Sequence, residues 1–421
     1  MNVLITPGRL SGSVTIPPSK SQSHRAIIAA SLSKGKSVLN NVVLSEDVLA
    51  TLSAMEKLGV KIVTNNHQLI IHGISRINVA DDNFVDCNES GSTIRFLIPL
   101  LSLSKQKIVL TGKPGLFKRP MSIYEQLFKD RGLCFQQNEK SIIINGALPA
   151  DTYQIPGNVS SQFVSGLMFA LPLQKEDSII EVTGELESKE YIDMTIDILK
   201  RFGITIEIDG NRYLIPGNQK YKATSIVIEG DYSQMAFYGV AGLFCGDLTC
   251  KNMSYDSIQP DRRVLDFIEK MNGYYTWNNS DIVFHYSNTI GTTIDVSQCP
   301  DIAPILSILG ALSTGKTVIE NATRLKYKES NRLSSTYETL KKMNVMVEMT
   351  DSSLIIEGKP IIDGGTFDSY GDHRIVMSIA IAAIKANQNV IIKNADAVNK
   401  SYPNFFQDYQ NLGGNVTFLE E

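Results

Sequence analysis

One pattern recurs six times along this chain, and it constrains the fold more than any other feature. A small, Ser- or Asp-rich start leads into an apolar stretch, then a Gly or polar turn, then a strand. The starts fall near Lys20, Gly91, Ser160, Tyr232, Asp301 and Asp372, so successive starts lie 71, 69, 72, 69 and 71 residues apart. A fixed period of this kind marks a chain built from repeated supersecondary units. A second marker keeps step with the first. It is an amphipathic helix closed by Gly59, Gly132, Gly203, Gly273, Asn344 or Gly413, residue types that accept the left-handed backbone at a helix end.

The two helix types of each unit differ. The first is apolar almost all round, as in Ile94-Arg95-Phe96-Leu97-Ile98-Pro99-Leu100-Leu101, and a helix of that kind has to be buried. The second carries one apolar stripe, as with Tyr191, Met194, Ile198 and Phe202. The expected fold is therefore α/β, with buried helices inside and sheets outside. Six such units make an awkward single core for 421 residues, so a three-and-three split is expected. Units one to five close with an extra strand, such as Gln68-Leu69-Ile70-Ile71, whereas the chain after Gly413 has room for only Val416-Thr417-Phe418-Leu419. A spare strand, Val3-Leu4-Ile5, lies at the other terminus. The expected lobes are thus 1–18 plus 230–421, and 19–229, joined by two crossings that make a hinge and a cleft.

Composition narrows the function classes. At 43% hydrophobic and 20% charged residues, with a net charge of −4, the chain has no general attraction to nucleic acid or an anionic membrane. The longest apolar run, Ile375 to Ile384, is too short to span a bilayer. The opening Met1-Asn2-Val3-Leu4 runs into Pro7 and Gly8 without the pattern of a secretory leader. Cys87, Cys134, Cys245, Cys250 and Cys299 form no CxxC pair and no metal spacing with the histidines. They are expected as reduced thiols of a cytoplasmic protein.

Polar and basic residues gather at the starts of the apolar helices: Lys20, Ser21, His24, Arg25, Arg95, Ser160, Ser161, Gln162, Asp301, Asp372, His373 and Arg374. Lys118-Arg119-Pro120 and the run from Arg324 to Arg332, with Lys326 and Lys328, flank them. Helix N-termini and Arg side chains suit phosphate and carboxylate groups. An isolated basic residue at a helix start is ordinarily solvated, and Ser-Ser-Gln alone is ordinarily an N-cap; recurrence at equivalent places in the units is what points to small, multiply anionic substrates. Gly310 to Thr317 matches the Walker A pattern letter for letter, but a P-loop follows a strand and opens a helix. Here a buried helix (302–312) comes first and a strand (318–320) follows, so Gly315 is expected to end a helix.

Nine segments in order resemble the EPSP synthase (3-phosphoshikimate 1-carboxyvinyltransferase) family of enolpyruvyl transferases. They are Pro18-Ser19-Lys20-Ser21-Gln22-Ser23-His24-Arg25, Gly91-Ser92-Thr93-Ile94-Arg95, Lys118-Arg119-Pro120, Ser160-Ser161-Gln162-Phe163, Ser188-Lys189-Glu190-Tyr191-Ile192-Asp193, Pro300-Asp301, Lys328-Glu329-Ser330-Asn331-Arg332-Leu333, Asp372-His373-Arg374 and Lys400-Ser401-Tyr402-Pro403. The resemblance implies two lobes, each of three βαβαββ units around central parallel helices, an inside-out α/β barrel. It implies transfer of the enolpyruvyl group of phosphoenolpyruvate to shikimate 3-phosphate, a step of chorismate and aromatic amino-acid biosynthesis. It implies no metal or organic cofactor, and a monomer with these two small molecules as its partners.

By the same resemblance, Lys20, Ser21, Arg25, Ser160, Ser161, Gln162, Ser188, Tyr191, Asp301 and Lys328 would contact shikimate 3-phosphate. Lys20, Gly91, Arg119, Gln162, Arg332, Arg374 and Lys400 would contact phosphoenolpyruvate. Asp301 would be the base near the attacking 5-hydroxyl, Glu329 the acid at the methylene carbon, and Lys20 a third catalytic group. Glu89 departs from the family, which often has Asn there, and Phe96 replaces a smaller residue. The rival UDP-N-acetylglucosamine enolpyruvyl transferases usually carry a Cys where this chain has Pro114, and Lys-Asn where it has Lys20-Ser21. A non-catalytic anion-binding scaffold would have no use for the carboxylates Asp301 and Glu329.

Overall fold

The structure, a computed structural model, describes residues 1–79 and 82–419. It contains six four-stranded sheets with one plan among the described residues. In each, a parallel pair is extended by two antiparallel strands. In the second unit, Phe84–Asp86 runs parallel to Ile108–Thr111, which pairs antiparallel with Ser141–Asn145, which pairs antiparallel with Cys134–Gln137. Among the described residues no sheet closes into a barrel.

The apolar helices are Lys20–Ser31, Gly91–Ser102, Ser161–Ala170, Tyr232–Cys245, Ala303–Leu312 and His373–Ala382. Every residue of Tyr232–Cys245, Ala303–Leu312 and His373–Ala382 is buried, as their all-round apolar character requires. The second helices bury one face only, as in Lys189–Arg201, where Ile192, Met194, Thr195, Ile198 and Leu199 are inside. Gly59, Gly132, Gly203, Asn344 and Gly413 all have positive φ. The fourth closing residue differs from expectation. Asn272 takes the left-handed position (φ 62°), while Gly273 is needed for space, because a Cβ there would lie 2.5 Å from Ile268 Cγ2.

Contacts divide the chain into two compact units, Met1–Pro17 with Glu229–Glu421, and Pro18–Ile228. Each has its own hydrophobic core. In the first, Asn2–Thr6 lies between Val390–Lys393 and Asn415–Leu419, with Val3 opposite Ile392 and Phe418. Gly12–Thr15 in the same unit runs parallel to Leu248–Lys251. In the second, Ser225–Val227 runs parallel to Gly35–Asn40. The Walker-like segment behaves as a helix end: Gly315 has φ 85°, and Lys316 opens the strand Lys316–Glu320 and pairs with Glu357 at 3.3 Å. All five cysteines are free. Among the described residues no helix is long and apolar enough to cross a membrane.

Candidate active site

In the unit Pro18–Ile228 the polar groups sit where the apolar helices begin. Ser19 caps the helix Lys20–Ser31 by accepting from Gln22 N, and Lys20 reaches Asp47 Oδ2 at 2.7 Å. One turn on, Arg25 is buried and held at every edge. Its Nε donates to Thr195 Oγ1 (2.8 Å), its Nη1 to Ser21 O (2.8 Å) and its Nη2 to Tyr191 O (3.1 Å). Burial pushes the guanidinium down to about 10. Ser188 takes a left-handed φ of 55° just before the helix Lys189–Arg201, which brings Tyr191 to Arg25.

The segment Ser90–Arg95 meets Arg119 and Gln162. Arg119 lies so close to the chain that a Cβ at Gly91 would stand 2.5 Å from Arg119 Nη1. Arg95 donates to Gln162 Oε1 (2.8 Å) and Pro120 O (3.1 Å), and Gln162 Nε2 donates to Ser92 Oγ (2.9 Å). Ser160 caps the helix Ser161–Ala170 by accepting from Gln162 N. Lys20, Ser21, Arg25, Gly91, Arg119, Ser160, Ser161, Gln162, Ser188 and Tyr191 therefore all belong to this unit.

In the other unit a single buried guanidinium organises the site. Arg332, 1% exposed, donates from Nη1 to Asp301 Oδ1 (2.8 Å), from Nη2 to Glu329 Oε2 (2.5 Å) and from Nε to Asp372 Oδ2 (2.8 Å). Asp372 also caps the helix His373–Ala382 by accepting from Arg374 N. Asp301, in the short turn Pro300–Ile302, receives Lys328 at 3.0 Å and Arg374 at 3.6 Å. Burial alone would raise Asp301, but Lys328, Arg374 and Arg332 outweigh it and hold the carboxyl well below the usual range. Burial lowers Lys328, with Asp301 acting against it. Lys400 is buried at the end of the turn Ala395–Lys400.

A family model described as EPSP synthase (3-phosphoshikimate 1-carboxyvinyltransferase) matches residues 4–409. The chain belongs to that family. A 3-phosphoshikimate 1-carboxyvinyltransferase of Clostridium perfringens is 44% identical over 416 residues, covering 98% of each chain. One of Clostridioides difficile is 42% identical over 427 residues, covering 98% of this chain and 97% of the relative. Among solved structures, EPSP synthase from Acinetobacter baumannii superposes with a TM-score of 0.84 at 26% identity, covering 99% of this chain and 100% of that one. The enolpyruvyl transferase NikO from Streptomyces tendae, at 14% identity and a TM-score of 0.81 over 99% of this chain and 98% of its own, shares the fold.

Two acidic residues of this EPSP synthase family member escaped the sequence reading: Asp47, which holds Lys20, and Asp261. Asp261 is buried and accepts from Ser233 Oγ. Burial, then the charge of Asp301, push it up to about 7. The signal was in the repeat. Asp47, Arg119, Ser188, Asp261, Glu329 and Lys400 follow the six unit starts by 27, 28, 28, 29, 28 and 28 residues. Each stands just before or within the first turns of its unit's second helix or turn. Four of the six were singled out; the position itself was not.

Proposed function

We propose that this chain transfers the enolpyruvyl group of phosphoenolpyruvate to the 5-hydroxyl of shikimate 3-phosphate, releasing phosphate. The observation that carries the reading is Arg332, which grips Asp301 and Glu329 on two nitrogens of one guanidinium while Asp372 holds the third. An anion binder gains nothing from two carboxylates fixed in that way; an addition–elimination needs both.

Asp301, kept ionised by its cations, takes the proton of the 5-hydroxyl as its oxygen attacks C2 of the enol. Glu329 gives a proton to C3, which becomes a methyl group, and a tetrahedral adduct forms. Glu329 then takes a methyl proton back as the C2–O bond to phosphate breaks and the double bond returns, and the proton held by Asp301 passes to the departing phosphate. Lys20, the third catalytic group, joins Gly91, Arg119 and Gln162 in binding phosphoenolpyruvate. Arg332, Arg374 and Lys400 are its remaining contacts. Their charges offset the crowded anions and stabilise the leaving phosphate. Ser21, Arg25, Ser160, Ser161, Gln162, Ser188, Tyr191, Lys20, Asp301 and Lys328 hold shikimate 3-phosphate. Each compact unit acts as one lobe. The pairs Lys20–Asp47 and Lys328–Asp301 keep cations oriented until substrate phosphates compete for them.

The test is phosphate release with phosphoenolpyruvate and either acceptor. Release is expected with shikimate 3-phosphate and not with UDP-N-acetylglucosamine; release with the nucleotide sugar alone overturns the proposal.

A further inference from the structure

His24 belongs to none of the groups assigned above, yet it is fully buried one helical turn from Lys20. On the helix Lys20–Ser31, Lys20 and His24 are four residues apart and share a face; on the helix Glu46–Lys57, Asp47 and Thr51 do the same. The faces meet in two rungs. Lys20 Nζ lies 2.7 Å from Asp47 Oδ2, and His24 Nδ1 lies 2.7 Å from Thr51 Oγ1. The second rung continues. Thr51 Oγ1 lies 2.7 Å from Thr93 Oγ1, and Thr93 Oγ1 donates to Ser90 Oγ at 2.7 Å. Ser90 is the N-cap of the helix Gly91–Ser102 and also accepts from Thr93 N. His24, Thr51, Thr93 and Ser90 are all 0% exposed.

Proton counting orients the chain. A hydroxyl has one proton to donate. Thr93 gives its proton to Ser90, so it accepts from Thr51; Thr51 gives its own to Thr93, so it accepts from His24. His24 therefore carries its proton on Nδ1. Its Nε2 is buried, with no hydrogen-bond partner among the described residues.

We propose that His24, as a neutral imidazole protonated on Nδ1, is a positioning residue that locks the helix bearing Lys20 to the turn bearing Gly91 through Thr51, Thr93 and Ser90. The inference deepens the reading above, because Lys20 and Gly91 are the two phosphoenolpyruvate contacts it ties together. A second proton on Nε2 would place a charge in a dry core. Burial accordingly drives the imidazole down to about 3; of the charged groups facing it, Asp47 opposes the fall, and Lys20 and Arg25 add to it.

Two measurements test it. The first is independent of any reaction: 15N-resolved imidazole NMR of the intact chain. His24 is expected as the Nδ1–H tautomer and unchanged from pH 8 to 5; an Nε2–H tautomer, or titration near the ordinary histidine value, sinks the proposal. The second is steady-state kinetics. His24→Leu removes the donor, and Thr51→Val removes the relay at nearly constant volume. Each should raise KM for phosphoenolpyruvate by about tenfold with a much smaller change in kcat. His24→Asn, whose Nδ2 is one bond from Cγ as Nδ1 is, should bring KM back to within about threefold of the parent. Parental KM in both the His24→Leu and the Thr51→Val chains overturns the positioning role, and if the leucine variant does not fold, Thr51→Val decides. If the parent chain turns over neither acceptor, the proposed reaction fails while the NMR result still judges the tautomer.

Discussion

A buried carboxyl takes its protonation state from its neighbours, and the unit holding Arg332 contains two opposite cases. Asp301, among Lys328, Arg374 and Arg332, stays ionised despite burial. Asp261, bonded to Ser233 and near Asp301, is pushed up to about 7. For an acid raised in the folded state, the associated stability is complete below the ordinary value of 3.8 and is lost as pH rises through about 7. Asp261→Asn should therefore flatten the fall in unfolding midpoint between about pH 4 and pH 7; a melting series across that range with an unchanged slope counts against a raised Asp261. At Glu329, replacement by Ala should leave binding of both substrates near parental while turnover falls by roughly 10²–10⁴-fold. Calorimetry and phosphate release read the two separately, and undiminished turnover removes Glu329 from the mechanism. Asp301, Glu329 and Arg332 were all visible as residue types in the sequence. That one guanidinium would bind both carboxylates was not, because it depends on a turn, a helix start and Asp372 arriving together.

At the scale of elements, the period made the helices and strands legible. Each of the six unit starts opens a buried helix or the short turn leading into one. At the fourth unit Asn272 takes the left-handed position, and the glycine beside it fits a place where a Cβ would meet Ile268. Packing also accounts for Gly91, whose backbone is an ordinary helix start. In Gly91→Ala the new methyl would collide with the far end of Arg119. Such an end can move without unfolding anything, so the melting temperature should stay within a few degrees. KM for phosphoenolpyruvate should rise by about tenfold, at roughly 1.4 kcal/mol of lost binding. An unchanged KM would mean that Arg119 does not need its place.

At the scale of the molecule, the unit Pro18–Ile228 is one continuous stretch whose first sheet is completed by its own last strand, Ser225–Val227. A fragment of residues 18–228 should fold cooperatively alone, with dispersed amide resonances; a molten fragment would show that its core needs the rest of the chain. The other unit depends on a strand from the far terminus. Removing residues 1–6 strips Asn2–Thr6 from between two partners and deletes Val3 and Ile5, both fully buried. The loss is several kcal/mol, at about 1.5–3 kcal/mol for each buried aliphatic side chain. Proteolysis should then cut first near Asn415–Leu419, and equal resistance would contradict that strand's structural part. The sequence by itself determined the period, the two helix types and the positions at which charge recurs, because these follow from hydrophobic pattern and backbone preference within one unit. Counting strands also left Val3-Leu4-Ile5 for the last unit, but only the tertiary structure decided two other sheet closures. Gly12–Thr15 joins Leu248–Lys251, and Ser225–Val227 joins Gly35–Asn40, each across about two hundred residues. Strand pairing is set by which edges meet in space, and no local pattern records that.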